Sequence, residues 1–375
     1  MKEYIVTKDI LNIRSSATDV DDTNYVGSLN RGATIFLTDE EINGKIPFGG
    51  SSPMWKADHL NNMVSRDAVE PKVITATTQG IEQFKSVANF PNVPINWNGK
   101  VKKIPNNIKI KGGSGISVGV LDSGIERQHL DLSRNVIESI DFTKSAVADL
   151  DVQGHGTAMA SLIAAYPFSK NGITGIAPNV LLRLAKVMYD QNDPQDFSSV
   201  ELGMRHLLER RVDIINMSIG RPFVAALPSI QHIISLTGAS NNTVFFASTK
   251  EYNDDNDLSR LTDLFPANCP GVIPVCSLTK SLIEQHWNSL PAPLIIIPDF
   301  NAWCCSIKHR HYYFQEAGSS ISTALMAGIT ALLLAQSPSV NRSKQGILSL
   351  LTQYASTVDE AFQNIGSEIH YIIKN

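Results

Sequence analysis

Three residues in this sequence have the types and settings that nucleophilic catalysis needs: Asp122, His155 and Ser320. Ser320 lies in Gly318-Ser319-Ser320-Ile321, where small residues precede the apolar run Ile329 to Ala335. That pattern predicts a tight turn feeding a buried helix. At a helix start the first backbone N–H groups lack intrahelical partners and favour negative charge. A serine there can attack a carbonyl while its own amide holds the oxyanion. The same stretch also suits a serine that merely caps a core helix. His155 sits between Gly154 and Gly156, whose small size lets other groups approach the imidazole. It is the one histidine of nine with glycines on both sides at an inferred helix start. Asp122 ends the apolar run 116–121 and is followed by Ser123-Gly124. A carboxylate at the tip of a buried strand needs partners, which Ser123, the turn amides and a histidine can supply. Alone, Asp-Ser-Gly is only a turn signal. The order is Asp, His, Ser, with separations of 33 positions from the first to the second and 165 from the second to the third.

The elements that must position these residues read as α/β from residue 116 onward. Short apolar runs predict strands at 116–121, 180–187, 212–219, 244–246, 271–275 and 294–297. Helical periodicity falls between them at 158–166, 197–211 and 230–236. Alternating strands and helices predict a mainly parallel sheet with helices on both faces. Sites in such sheets lie at the carboxyl ends of the strands. Residues 1–64 differ. Short alternating runs such as Tyr4-Ile5-Val6 and Thr34-Ile35-Phe36-Leu37, broken by polar turns, predict a separate small β-barrel. Residues 65–112, punctuated by Pro71, Pro91, Pro94 and Pro105, read as a linker wrapping onto the domain 113–375, with one short helix near 79–89.

Composition narrows the function. The 375 residues are 43% hydrophobic and 18% charged, with a net charge of −4, which gives no electrostatic reason to expect nucleic acid. No apolar run approaches the roughly 20 residues of a membrane helix, so no membrane partner is expected. Met1-Lys2-Glu3-Tyr4 opens no signal-peptide apolar core. The four cysteines Cys269, Cys276, Cys304 and Cys305 have no zinc-like spacing. Free buried thiols in a reducing cytoplasm are the expectation.

Together these motifs resemble the subtilisin-like serine proteases, whose chain order is Asp, His, Ser. Asp122-Ser123-Gly124, His155-Gly156-Thr157 and Gly318-Ser319-Ser320 resemble the three active-site signatures. Gly172-Ile173-Thr174-Gly175-Ile176-Ala177-Pro178 and Ile215-Asn216-Met217-Ser218-Ile219-Gly220 resemble supporting segments, and the likeness spans about 113 to 350. The resemblance implies Ser320 as nucleophile, His155 as general base and acid, and Asp122 as its orienting partner. It implies substrate pairing at Ser218, Ile219 and Gly220, with further lining from Ala247, Ser248 and Thr249. A protein or peptide is then the substrate. No cofactor is required, although the family often holds structural calcium. Few oxygen ligands occur in the loop 167–172, and calcium stays open. The N-terminal pattern Leu11-Asn12-Ile13-Arg14-Ser15, Val26 to Gly32 and Trp55-Lys56-Ala57 resembles a bacterial Src-homology-3-like domain. Such modules bind peptides or cell-wall fragments, which implies docking or regulation; a passive packing role suits the same residues.

The chain departs from the family at the oxyanion hole. Where the family places asparagine, Phe246-Ala247-Ser248-Thr249-Lys250 brings Lys250, and Asn253 follows three residues on. Such a donor is worth about 2.7–4 kcal/mol in subtilisin itself, a figure borrowed from that enzyme. Lys250 could serve as a cationic donor, Asn253 could replace it, or the site could be slow or silent until remodelled. Ser319, Ile321, Ser322 and Ala324 also replace family residues while keeping the helix start small or apolar. Three functions stay open: a serine endopeptidase acting on selected partners, a peptide-binding pseudo-protease, and a peptide ligase or macrocyclase.

Overall fold

The computed structural model describes residues 95–374 except 144–148, 169–171, 189–196, 223–227, 240–241, 251–256 and 308–311, and before residue 95 the backbone of seven strands. The helix expected near 79–89 lies outside the described residues. Chain contacts divide the molecule into a unit of residues 1–87 with 146–148 and a second of 88–145 with 149–375.

In the first unit two antiparallel sheets form. Lys2–Val6 pairs with Thr34–Leu37 on one side and Val69–Pro71 on the other. The second sheet runs Tyr25–Asn30, Ile10–Arg14, Asn62–Ser65, Met54–Ala57. Lys2–Val6 and Thr34–Leu37 overlap the alternating runs of the sequence, whereas Val69–Pro71 lies within residues 65–112, expected to be a linker.

The second unit is built on an eight-stranded sheet. Its strands are β1 (Ser117–Asp122), β2 (Val136–Asp141), β3 (Leu181–Lys186), β4 (Ile214–Met217), β5 (Val244–Ser248), β6 (Val272–Leu278) and β7 (Leu294–Pro298). A hairpin of β8 (Ala302–Cys305) and β9 (Tyr313–Glu316) stands apart, and β10 (Ile372–Lys374) closes one edge. The spatial order is β2-β3-β1-β4-β5-β6-β7-β10, all parallel except the last pair.

The apolar runs become central strands because both faces are covered. Successive side chains point to opposite faces. Val118, Val120, Phe246 and Ile273 enter one core, while Leu121, Ile215, Phe245 and Val272 enter the other. Over the first face lie α1 (His155–Ala164) and α5 (Ser319–Leu334), in contact with each other; over the second lie α2 (Ser198–Glu209) and α3 (Pro228–Ala239). α4 (Lys280–His286) follows β6. Trp97, Val101, Ile104 and Ile108 also join the α1–α5 core.

Topology then locates the site. On one side of β1 the chain goes first to the edge strand β2 and returns to β3 between them, and from β4 onward it builds outward on the other side. The order reverses beside β1, and a crevice opens at the carboxyl ends there. Asp122 is the last residue of β1, and β4 ends one residue before Ser218.

Candidate active site

Asp122 and His155 meet because a strand end and a helix start are held tightly together. Gly156 is the close-approach residue: a Cβ there would collide with the carbonyl oxygen of Gly124. Asp151 completes the joint. Buried to 2% exposure, its Oδ1 accepts from Ser123 Oγ at 2.9 Å, Gln153 N at 3.1 Å and Gly154 N at 2.8 Å. Its Oδ2 accepts from Thr157 N at 2.9 Å and Thr157 Oγ1 at 2.7 Å. Ser123 Oγ in turn accepts from Gly156 N at 2.9 Å. One carboxylate thus satisfies amides at the start of α1 and anchors the turn after β1.

Within that joint His155 Nδ1 lies 2.8 Å from Asp122 Oδ1, which also accepts from Ser123 N at 2.7 Å. Nδ1 therefore carries the proton, leaving Nε2 as the acceptor of a neutral ring. Asp122 is 1% exposed, while the imidazole is 25% exposed. Burial lowers the pKa of His155, but the charge and hydrogen bond of Asp122, with Glu316 and Asp151 beyond, outweigh it. The pKa is pushed up to about 9.

Ser320 is the second residue of α5, and Gly318 before it adopts φ 117°, a conformation suited to glycine. Ser320 Oγ donates to the Ser218 carbonyl at 3.3 Å, and Ser218 Oγ donates to the Ser320 carbonyl at 2.9 Å. Asn216 Nδ2 donates to Ser218 Oγ at 3.0 Å, and Ser319 Oγ accepts from Ser277 N at 3.2 Å. The end of β4 and the start of α5 are thus strapped together. His155 and Ser320 line one cavity of about 540 Å³.

The other expected residues are placed unevenly. Ile219 is buried in the second core and Gly220 is exposed. Ala247 and Ser248 lie inside β5, opposite Pro274 and Val275, with the Ala247 side chain in the core. Thr249 N donates to Val275 O at 3.0 Å. Lys250 is exposed, and its amide donates to Leu261 O at 3.0 Å. Asn253 lies outside the described residues. Asp151 and Glu316 were not singled out from the sequence. Asp151 did carry a signal, an acid just ahead of a helix start; Glu316 carried none. Cys304 and Cys305 are fully buried, and burial raises both thiols well above their ordinary range, as expected of small apolar fillers.

For calcium, the one cluster of His, Cys, Asp and Glu side chains that stands out among the described residues does not fit. The buried Asp131 lies closest to the loop after α1, but its oxygens already accept from Phe168 N, Ile173 N and Tyr313 OH, each at 2.8 Å. Its neighbours within 4.8 Å are the imidazole of His129 and the protonated thiol of Cys305. Calcium takes six to eight oxygens, roughly, at about 2.3–2.6 Å.

The profile of the family described as "Subtilase family" matches residues 113–366. Subtilisin DY of Bacillus licheniformis is 27% identical over 67% of this chain and 87% of its own. An intracellular serine protease of Paenibacillus polymyxa is 30% identical over 71% of this chain and 79% of its own. The crystal structure of a cold adapted subtilisin-like serine proteinase shares the fold, with a TM-score of 0.52 at 20% identity over 70% of this chain and 89% of that one. Over two thirds of its length, including every residue of the cavity at Ser320, this chain belongs to the subtilase family and is a subtilisin-like serine protease.

Proposed function

We propose that Asp122, His155 and Ser320 form the catalytic triad of an endopeptidase. The observation that carries this reading is the 2.8 Å hydrogen bond from His155 to Asp122 at the rim of the cavity that also holds Ser320. Rotation of the Ser320 hydroxyl from the Ser218 carbonyl to His155 Nε2 lets the imidazole take its proton as Oγ attacks the peptide carbonyl. Asp122 keeps the proton on Nδ1 and stabilises the imidazolium. His155 passes the Ser320 proton to the leaving amine, and water resolves the acyl-enzyme by the same route. The Ser320 amide, at the positive end of α5, faces the developing oxyanion, and Lys250 or Asn253 supplies the second donor. Ser218, Ile219 and Gly220 pair with an extended substrate, and Ala247 to Thr249 back its pocket.

The substrates are selected proteins of the cytoplasm, a reading supported by relatives named as intracellular serine proteases. The N-terminal unit is a Src-homology-3-like barrel that docks a peptide or cell-wall ligand. A peptide-binding protein without turnover is the second reading, favoured by the lysine at position 250, whose backbone amide is already committed to Leu261.

A fluorophosphonate probe tests the pair. Labelling of the full chain that disappears in Ser320→Ala establishes an activated serine with a working oxyanion site. Absence of labelling in the wild type refutes the endopeptidase and leaves the peptide-binding reading.

A further inference from the structure

The cavity at Ser320 carries a charge that hydrolysis itself does not use. Its lining joins His155 and Ser320 to Leu278, Leu282, Asp299 and Glu316. Leu278 ends β6, Leu282 lies on α4, Asp299 follows β7, and Glu316 ends β9. Four elements therefore converge on one wall. That wall presents two carboxylates and two leucines, and among the described residues the lining contains no lysine or arginine. Ser277 Oγ donates to Asp299 Oδ1 at 2.8 Å, which fixes this carboxylate without neutralising it. Among the described residues neither Asp299 nor Glu316 forms an ion pair. Glu316 is half-buried and Asp299 exposed, so the negative charge runs from the cavity wall to its mouth. The field of Glu316 is also felt at His155, where it helps to hold the proton.

We propose that this wall is a subsite for a lysine or arginine side chain of the peptide, close to its scissile bond. Such a side chain has an apolar stem and a charged head. The stem would lie along Leu278 and Leu282, and the head would reach Asp299 and Glu316, two carboxylates that form no ion pair among the described residues. A glutamate or aspartate in the same place would meet like charge in a partly shielded site. A neutral aliphatic side chain would cover the leucines but leave both carboxylates unmatched. The contact is partly open to water, so the preference for lysine over its neutral isostere is roughly tenfold and weakens with salt.

The inference rests on the peptidase reading, and two measurements on the full chain separate their failures. In the first, fluorescein-tagged peptides scanned with lysine, norleucine or glutamate are cleaved by the wild type and by Asp299→Asn/Glu316→Gln, and kcat/KM is compared. In the second, the same peptides are bound to Ser320→Ala and followed by fluorescence anisotropy, which needs no turnover. The expected result is a lysine preference in both, at one fixed position relative to the cut, and a collapse of the lysine-to-norleucine ratio in the double variant. Tighter binding of the lysine peptides without cleavage supports the subsite and refutes the peptidase. Cleavage without a lysine preference, or a preference that the double variant keeps, overturns the subsite and leaves the peptidase standing.

Discussion

Replacing Asp151 with asparagine should loosen the joint between β1 and α1 while leaving every proposed triad residue in place. The wild-type carboxylate accepts five hydrogen bonds, three on Oδ1 and two on Oδ2. Asparagine offers one acceptor oxygen and one NH₂ group. With the oxygen facing Ser123, Gln153 and Gly154, three bonds survive but lose their charge. The NH₂ then faces two donors on Thr157. The Thr157 hydroxyl can turn and accept, as it already does from Glu126 N at 2.9 Å, but the Thr157 amide is buried and cannot. One stranded buried donor costs about 1–3 kcal/mol, and loss of charge assistance adds about 1–2 kcal/mol over the three weakened bonds. The sum is about 2–5 kcal/mol, a large part of the roughly 5–15 kcal/mol typical of a folded protein. Urea unfolding followed by tryptophan fluorescence measures this directly, since Trp97 is buried in the same core as α1. A second readout is independent of stability. The Asp151 charge raises the pKa of His155, so the asparagine variant should show the ascending limb of its kcat/KM profile at lower pH than wild type. Ser123→Ala, which removes one donor to Asp151 and the acceptor of the Gly156 amide but keeps the charge, should cost less and move the limb less. A loss below about 1 kcal/mol in Asp151→Asn, or an unmoved limb, would refute the assignment of Asp151 as the residue that positions both partners.

The wild-type pH profile is itself a prediction. His155 must be neutral to accept a proton, so with its pKa near 9 activity should rise with pH toward that value, and at pH 7 only about one molecule in a hundred has the neutral ring. For folding the sign is opposite: because the folded pKa lies above the unfolded value of 6.5, protonated His155 contributes roughly 3 kcal/mol that is fully present below pH 6.5 and lost as pH rises through about 9. Urea midpoints at pH 6 and pH 10, compared between wild type and His155→Ala, check that sign, and a wild-type limb near 6.5 would show that the carboxylates do not act on the ring. Gly156→Ala forces a methyl group against the Gly124 carbonyl oxygen and should cost about 1–3 kcal/mol or more while pushing Asp122 and His155 apart, which fluorophosphonate labelling would report as a slower rate at unchanged probe concentration.

What the sequence disclosed and what it withheld divide along a physical line. The strands at 116–121 and 294–297 were legible because a strand covered on both faces must be apolar at every position, and both reappear within a residue or two as Ser117–Asp122 and Leu294–Pro298. β2 was not, since its Val136-Ile137-Glu138-Ser139-Ile140-Asp141 run lies at a sheet edge and mixes polar with apolar residues. Nor was β10, three residues that become a strand by pairing with the edge of β7. The start of α1 was expected at 158 from its apolar run but lies at His155, because the first turn is fixed by the Asp151 carboxylate rather than by helical periodicity. The same division runs through the site. Asp122, His155 and Ser320 announced themselves through neighbouring glycines, since a close approach or a positive φ must be written into adjacent positions. Electrostatics has no such local signature. Asp299 and Glu316 belong to different elements and share a wall only after β7 and β9 have been placed, and the orphaned Oδ2 of Asp122 becomes apparent only when its surroundings are assembled. A reading of motifs therefore finds the atoms that could react, whereas the charges that set their pKa and select a substrate emerge from the fold. That is why the activity class could be argued from three short signatures, and why the preference for a basic side chain could be argued only from the cavity.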